Sequence, residues 1–351
     1  MPDESLIVDT TVRIFQDHAD PRTVNARGDE GWQAGLWSAL EDMGLTRTWV
    51  PERLGGAGAE VLDAFEVLRV AGRFAVAVPL AETLVAAWML AEAGIEVPPG
   101  RLAIAPARPG EVLSSGNGAL SGIARTVPFA READHLVVIT GEGDGREVVL
   151  LAPASVRIAP GVSIAGEPRD TMDLGGARAL AAAPLPPGAI GPLELGAAVR
   201  SMQMAGALQA ILDLSVEYAG ERIAFERPIA KFQAVQHNLA RLAGEVAAAN
   251  AAANAAASAV AAGAAGHPDA RFIEVAAAKV RAGAAGHEGS MIAHQTHGAI
   301  GYTREHVLHR FTHRLWSWRD DFGAETYWAA ELGRRFAAAG ADRLWPTLTA
   351  I

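Results

Sequence analysis

Polar and apolar positions alternate along this chain with two rhythms, and the switches between them divide it into three parts. Up to about residue 100 the rhythm is helical. Leu6, Val8, Val12 and Ile14 lie in one amphipathic segment, and Trp32, Leu36 and Leu40 recur every four residues in the next. The stretch "MGLTRTWVPERLGGAGAE", with Pro51 and the pair Gly55–Gly56, is a turn region, and a longer apolar stretch follows from Val61 to Ala93. From about residue 101, short β-branched runs such as "HLVVIT" and "REVVLLAP" stand between Gly, Asp and Pro clusters, as in "GEGDGR". That spacing predicts a small β domain, which closes in the Pro-rich "APLPPGAIGP". After Pro192 the helical rhythm returns. Met204, Leu208, Ile211 and Leu212 form a stripe running to Tyr218; Pro228 breaks it, and Phe232, Val235, Leu239, Leu242 and Val246 step in threes and fours. Gly266-His267-Pro268 is a break before a helix carrying Ile273, Ala277 and Val280, which Gly298 and Gly301 close. Leu308, Phe311, Leu315, Trp318 and Phe322 make a fourth stripe. The expected fold is mostly α with a small β domain: an N-terminal α-helical domain over 1–100, a middle β domain over 101–190, and a C-terminal four-helix bundle over 191–351.

Half of the residues are hydrophobic, with an excess of alanine, so the Ala-rich run from Val246 to Gly266 reads as a closely packed helix. Asn250, Asn254, Ser258 and Gly263 interrupt it, which argues against a membrane span. The formal net charge of −10 argues against nucleic acid or an anionic membrane as partner. An anionic ligand then needs a local cluster of arginines and helix N-termini. The absence of cysteine excludes disulfides, thiolate metal sites and a Cys nucleophile. "MPDESLIVDTT" lacks the basic and apolar regions of a secretory signal, so a cytoplasmic protein is expected.

Two clusters carry candidate chemistry. His294 and His297 are three residues apart, and His306, His309 and His313 share one helix face. No Glu stands three residues before a His in this region, as a bundle-type di-iron site requires, so these histidines read as a solvated helix face and no metal is expected. The second cluster is "YAGERIAFERPIAKFQAVQ". Arg222 and Phe225 stand at a helix junction, where a guanidinium can pair with a phosphate while a ring covers a base. A surface Arg beside a core Phe is the plain alternative.

"ERIAFERPIAKFQAVQ", followed some sixty residues later by "QTHGAIGYT", resembles the paired signature of the acyl-CoA dehydrogenases. "VPERLGGAG" resembles a turn in that family's N-terminal domain, and the order of helices, β domain and bundle matches over nearly the whole chain. The resemblance implies FAD as cofactor. It assigns Arg222 and Phe225 to the FAD diphosphate and adenine side across a subunit boundary, and Gln233 to a further flavin contact. Gln295 and Gly298 fall in the turn that holds the neighbouring subunit's dinucleotide, with Ala299 where the family has a second glycine. A dimer at least is implied.

The pattern also departs from the family. The Thr-Glu-Pro…Gly-Ser-Asp and Trp/Phe-Ile-Ser/Thr-Asn stretches that line the flavin ring and thioester are missing from "APARPGEVLSSGNGALSGIARTVPFAREADHLVV". Desaturation needs a carboxylate to remove the α-proton. The family's Tyr-Glu-Gly step aligns Phe322 with that Glu; Asp321 stands one residue early, and Glu194 is the nearest carboxylate at the start of the first bundle helix. Asp321 and Glu194 are the candidate bases. The expected activity is FAD-dependent α,β-desaturation of an acyl-CoA thioester, with electrons passed to an electron-transfer flavoprotein. A hetero-oligomer whose partner completes the site is favoured over a self-sufficient homo-oligomer, an oxidase or monooxygenase of the same fold, or a non-catalytic partner subunit.

Overall fold

The computed structural model describes residues 6–27, 32–116, 119–263 and 268–349. Among the described residues the chain opens with the helices α1 Leu6–Ala19, α2 Pro21–Arg27, α3 Trp32–Asp42, α4 Val61–Arg73 and α5 Leu80–Glu92. The face that α1 buries is Thr11, Phe15 and Ala19 rather than the expected stripe; Val8, Val12 and Ile14 are half-buried and Leu6 is exposed. In α3, Leu36 and Leu40 are fully buried, as the four-residue rhythm predicts. The apolar stretch from Val61 to Ala93 is two helices, separated by a turn at Phe74–Pro79.

Among the described residues the strands that follow are β1 Leu102–Ala105, β2 Ser114–Gly116, β3 Ala119–Ser121, β4 Ile123–Pro128, β5 His135–Thr140, β6 Glu147–Leu151, β7 Arg157–Ala159, β8 Arg169–Asp173 and β9 Ala181–Pro184. One sheet has the order β1-β5-β6-β9, with β1 parallel to β5 and the other pairs antiparallel; β4, β8 and β7 form a second, antiparallel sheet, and β2 and β3 a hairpin. Alternate residues of the first sheet face opposite ways. Ala103, Leu136, Val138, Val149 and Leu151 pack towards the second sheet, while Leu102, Ile104, Val137, Ile139 and Val148 join the core shared with the helices. Burial on both faces explains why these strands read as continuous apolar runs. Thr83 of α5 ties the helices to β1 by exchanging hydrogen bonds with the backbone of Leu102.

The C-terminal part is the predicted bundle: α6 Pro192–Glu221, α7 Gln233–Ala261, α8 Pro268–His297 and α9 Leu308–Asp320, with a hairpin of β10 Ile223–Ala224 and β11 Arg227–Pro228 between α6 and α7. The Gly266–His267 break lies outside the described residues. α10 Glu325–Ala339 packs on α8, and α11 Ala341–Thr349 follows it. The Ala-rich run is a packed helix: Ala249, Ala253, Ala256, Ala257 and Val260 of α7 are buried. Asn250 and Asn254, which interrupt it, both accept from Arg69 of α4. α4 crosses α6 closely because both carry glycine at the crossing; a β-carbon on Gly206 would lie 2.0 Å from the Arg69 carbonyl oxygen. The α9 stripe ends before Phe322, because the helix stops at Asp320. Among the described residues no helix is long and apolar enough to cross a membrane.

Candidate functional site

The residues that the sequence singles out gather in two separate places. The first is one end of the bundle. Tyr218, near the end of α6, stacks on His297 at the end of α8 with ring centroids 4.5 Å apart, so the α6–α7 junction and the glycine turn are neighbours. Arg222 caps α6, and its carbonyl accepts from Ile229 N across the hairpin at 2.8 Å. Phe225 stands at the hairpin tip and is 89% exposed, which rules out the core-Phe alternative. Phe225 and Glu226 both have left-handed backbones, at φ 51° and 66°, a conformation that costs a residue with a side chain about 1–2 kcal/mol. Gln233, in the first turn of α7, and Gln295, near the end of α8, are exposed, as are Gly298 (φ 66°) and Ala299. Among the described residues the Arg222 guanidinium has no carboxylate partner. An exposed guanidinium, an exposed ring, two amides and the N-terminus of a 29-residue helix together suit a dinucleotide's phosphates and adenine.

The histidines differ from expectation. His294 and His297 are buried rather than solvated, and the other three are half-buried. His294 stacks on Tyr302 and Trp316, and His297 packs on His306. Burial, reinforced by neighbouring histidines, lowers the pKa of His294 and pushes that of His306 down to about 4. Among the described residues no set of His, Asp and Glu is placed to hold a metal ion.

The second place is the junction of the three domains. After α9 the chain turns extended at Asp321 (φ −64°, ψ 135°), then left-handed at Phe322 (φ 55°) and Gly323. Asp321 therefore does not sit one helical step from Phe322, as a continuous helix would place it. The Phe322 ring packs on Gly196 in the second turn of α6, where a β-carbon would lie 2.3 Å from it. Two hydrogen bonds fix the turn, Phe322 N to Ala107 O at 3.1 Å and Trp328 Nε1 to Phe322 O at 3.0 Å. The two segments expected to offer a base thus meet, and they meet as a ring on a glycine. Glu194 stands two residues, or about 200°, from Gly196 around the helix, and its Oε1 accepts from Arg271 at 2.8 Å.

Asp321 is held from two sides. Arg169 of β8 donates Nε to Oδ1 at 3.1 Å and Nη2 to Oδ2 at 2.9 Å; Arg200 of α6 donates Nε to Oδ2 at 3.0 Å. Arg200 also pairs with Glu82 of α5, and Glu167 pairs with Arg169 at 3.2 Å and with Arg314 of α9 at 2.8 Å. These three carboxylates and three guanidiniums are at most 8% exposed. Burial acts to raise the Asp321 pKa, but Arg169 and Arg200 outweigh it and hold the group below the usual carboxylate range. At Glu82 the balance reverses: burial dominates over Arg200 and raises the pKa. Close by, Lys279 of α8 closes the end of α9, donating Nζ to Trp318 O at 2.9 Å and Arg319 O at 2.7 Å. Of this lattice the sequence motifs point only to Asp321. The signal for the rest is a lone charge inside each apolar stretch, as in "PLAETLVAAWML" and "GAAVRSMQMAGAL".

Known proteins share the sequence and the fold of this chain. Residues 1–97 match the N-terminal domain of acyl-CoA dehydrogenases and residues 188–318 their C-terminal domain. Acyl-CoA dehydrogenase IpdE2 of Mycolicibacterium smegmatis is 31% identical over 257 residues, covering 70% of this chain and 74% of that protein. The chain belongs to the acyl-CoA dehydrogenase family. Among solved structures, the ChsE4-ChsE5 complex from Mycobacterium tuberculosis superposes with a TM-score of 0.84 at 25% identity, covering 95% of this chain and 97% of the other. A variant of the Tcur3481-Tcur3483 steroid acyl-CoA dehydrogenase gives 0.83 at 26%, with the same coverage. FAD is the family's cofactor, and two regions of this chain differ in what they offer such a ligand. The bundle end offers it free donors, an exposed ring and a helix N-terminus. The junction between β domain and α9 pairs guanidiniums with carboxylates and leaves Oε2 of Glu82 and Nε of Arg314 buried without a hydrogen bond.

Proposed function

We propose that this chain is one subunit of a hetero-oligomeric, FAD-dependent acyl-CoA dehydrogenase that introduces an α,β double bond into an acyl-CoA thioester and passes electrons to an electron-transfer flavoprotein. The observation that carries this reading is the contact of Phe322 with Gly196, which leaves no carboxylate where the base would stand. FAD, when bound, supplies the hydride acceptor. This chain's part is to bind and orient it: Arg222 pairs with the diphosphate, Phe225 covers the adenine side, and Gln233, Gln295 and Gly298 supply further contacts to a flavin seated in the partner. Their exposure supports a role outside this chain, and the partner supplies the base.

The homo-oligomeric alternative needs Asp321 or Glu194 as base. Both oxygens of Asp321 accept from guanidiniums and its proton affinity is lowered, while Glu194 is paired with Arg271, so the geometry disfavours both. The likeness to a complex of two differently named chains supports an unlike partner, and the steroid acyl-CoA dehydrogenase among the structural neighbours supports a ring-bearing acyl group. The test is co-expression with a family member that retains the Tyr-Glu-Gly step. One FAD per pair of unlike subunits and desaturation only by the pair are expected. Stoichiometric FAD and desaturation by this chain alone would refute the proposal, and oxygen consumption without an added carrier would point to an oxidase instead.

A further inference from the structure

We infer that a stack of uncharged rings, Tyr218, His297 and His306 with Tyr302 and His294 beside them, clamps the turn Gly298–Tyr302 onto the α6–α7 junction, and that proton uptake by its histidines opens the clamp. The inference rests on the reading that turn and junction together face a partner's FAD, and it names the residues that hold the two in position.

The rings come from α6, from α8 and from the stretch that leads into α9. Tyr218 stands in the last turn of α6, His294 and His297 in the last turn of α8, and His306 two residues before α9. His297 stacks on Tyr218, while His306 lies edge-on to Tyr218 at 6.2 Å and tilted on His297 at 4.6 Å. Tyr302, which closes the turn, lies almost parallel on His294, with ring centroids 4.2 Å apart. Gly301 rests on both histidines: a β-carbon there would come within 2.9 Å of the His297 β-carbon and 3.4 Å of His294 Nδ1. The turn therefore goes where these rings go.

Hydrogen bonds fix where each imidazole carries its single proton. A carbonyl only accepts, so His297 donates Nδ1–H to Ala293 O at 2.8 Å, which leaves its Nε2 bare. Thr312 gives its own proton to Leu308 O, so its Oγ1 accepts from His294 Nε2–H at 3.1 Å, which leaves Nδ1 of His294 bare. Among the described residues both bare nitrogens are buried without a hydrogen bond. At His306 the Nδ1 lone pair accepts from the backbone N–H of Leu308, the first residue of α9, at 3.2 Å. A second proton on His306 takes that lone pair and cancels the bond to α9. One on His294 or His297 creates a buried cation whose new donor has no acceptor.

The neighbours do not offset such a charge. Arg22 of α2 faces His306 and is already paired with Glu217 of α6, and Glu221 and Glu305 line the adjoining cavity. His313 and Trp316 of α9 flank His294, and Arg304, Arg310 and Arg314 act on His309 and His313. Burial, with His297, Arg22 and His309 adding to it against Glu217, holds the His306 pKa at about 4, and burial lowers those of His294 and His297. A histidine in the opened clamp titrates near ~6.5. Between that value and about 4 the opened state takes up the proton that the closed one refuses, so closure weakens as pH falls through this window. For His306 alone the opening constant should rise about tenfold from about pH 7.5 to 5.5.

Hydrogen exchange of the full chain by itself reads that opening in the protection factors of residues 295–303. In the parent they should fall at least about tenfold over the interval. His306→Phe keeps a ring to stack and cannot take a proton, so its share of the pH dependence should vanish; His306→Gln, equally without a titrating group, serves if that variant does not fold. Tyr218→Phe should match the parent, and Tyr218→Ala should lose protection at every pH. In the assembled pair, flavin loss to a scavenging apoflavoprotein should quicken about tenfold over the same interval. Three results overturn the inference: parent protection unchanged across the interval, the full pH dependence surviving in both His306 variants, or Tyr218→Ala as protected as the parent. The expected exchange behaviour in a chain whose co-expressed pair holds no flavin upholds the clamp and refutes the shared site.

Discussion

Lys279→Met probes the junction through a pH dependence whose sign is set by geometry. The Lys279 ammonium is fully buried and donates to two carbonyls at the end of α9. Burial pushes its pKa down to about 7, against the upward pull of Asp321. The same side chain titrates near ~10.4 in an unfolded chain. Below pH 7 both states hold the proton, and folding carries the full penalty of a buried charge. Between about pH 7 and 10.4 the unfolded chain binds the extra proton, so stability rises with pH; beyond that the penalty is gone. Roughly three units at about 1.4 kcal/mol each amount to about 4 kcal/mol across the window. Methionine abolishes the penalty but leaves two buried carbonyls unsatisfied, at roughly 1–3 kcal/mol each. Near pH 6 the two effects largely cancel and the variant should melt close to the parent. Near pH 10 only the loss remains, and the variant should be less stable by about 2–6 kcal/mol. Calorimetric melting of both proteins from pH 6 to 10 gives the difference curve. A difference that stays constant with pH refutes the argument, because it means that Lys279 does not change charge in the folded state within that range.

Arg222→Ala in the assembled protein should lose a charge-assisted contact of about 1.5–3 kcal/mol, weakening flavin retention roughly 10- to 150-fold at unchanged helix content. Unchanged retention through gel filtration removes Arg222 from the cofactor contacts. Gly196→Ala drives a methyl into the Phe322 ring and should cost about 1–3 kcal/mol, with much of it recovered by adding Phe322→Leu; thermal melts of the three variants report it.

The helices were legible because each carries its own evidence. The bundle seams, the Ala-rich helix and the four-residue rhythm of α3 are local patterns that packing then enforces. The β region was legible as texture but not as topology: β1 pairs in parallel with β5, a strand thirty residues on, and no periodicity announces such a partner. In α1 the apolar positions Leu6 and Val8 misled, because the buried face is set by Phe15, Ala19 and a hydroxyl, Thr11, whose Oγ1 is satisfied by the carbonyl of Ile7. The end of α9 misled in the same way. A stripe in steps of three and four ran through Phe322, yet the chain leaves the helix at Asp321 so that this aspartate can reach Arg169 and Arg200.

The two halves of the candidate site differ in legibility for a physical reason. The cofactor-facing set is read in short runs, because a hairpin tip and a helix N-terminus present neighbouring residues to one ligand. The lattice joins residues 152 and 118 positions apart, Arg169 with Asp321 and Arg200 with Glu82, and nothing near either partner names the other. What the sequence does hold is the imbalance that such a lattice must resolve. Glu82 and Arg200 each sit alone among residues that have to be buried, and a lone buried charge is untenable. Isolated charges of both signs in separate apolar stretches therefore demand one another, however far apart they lie along the chain. The aspartate beside Phe322 is accordingly a counter-charge first, and its candidacy as a base has to compete with the arginines that need it.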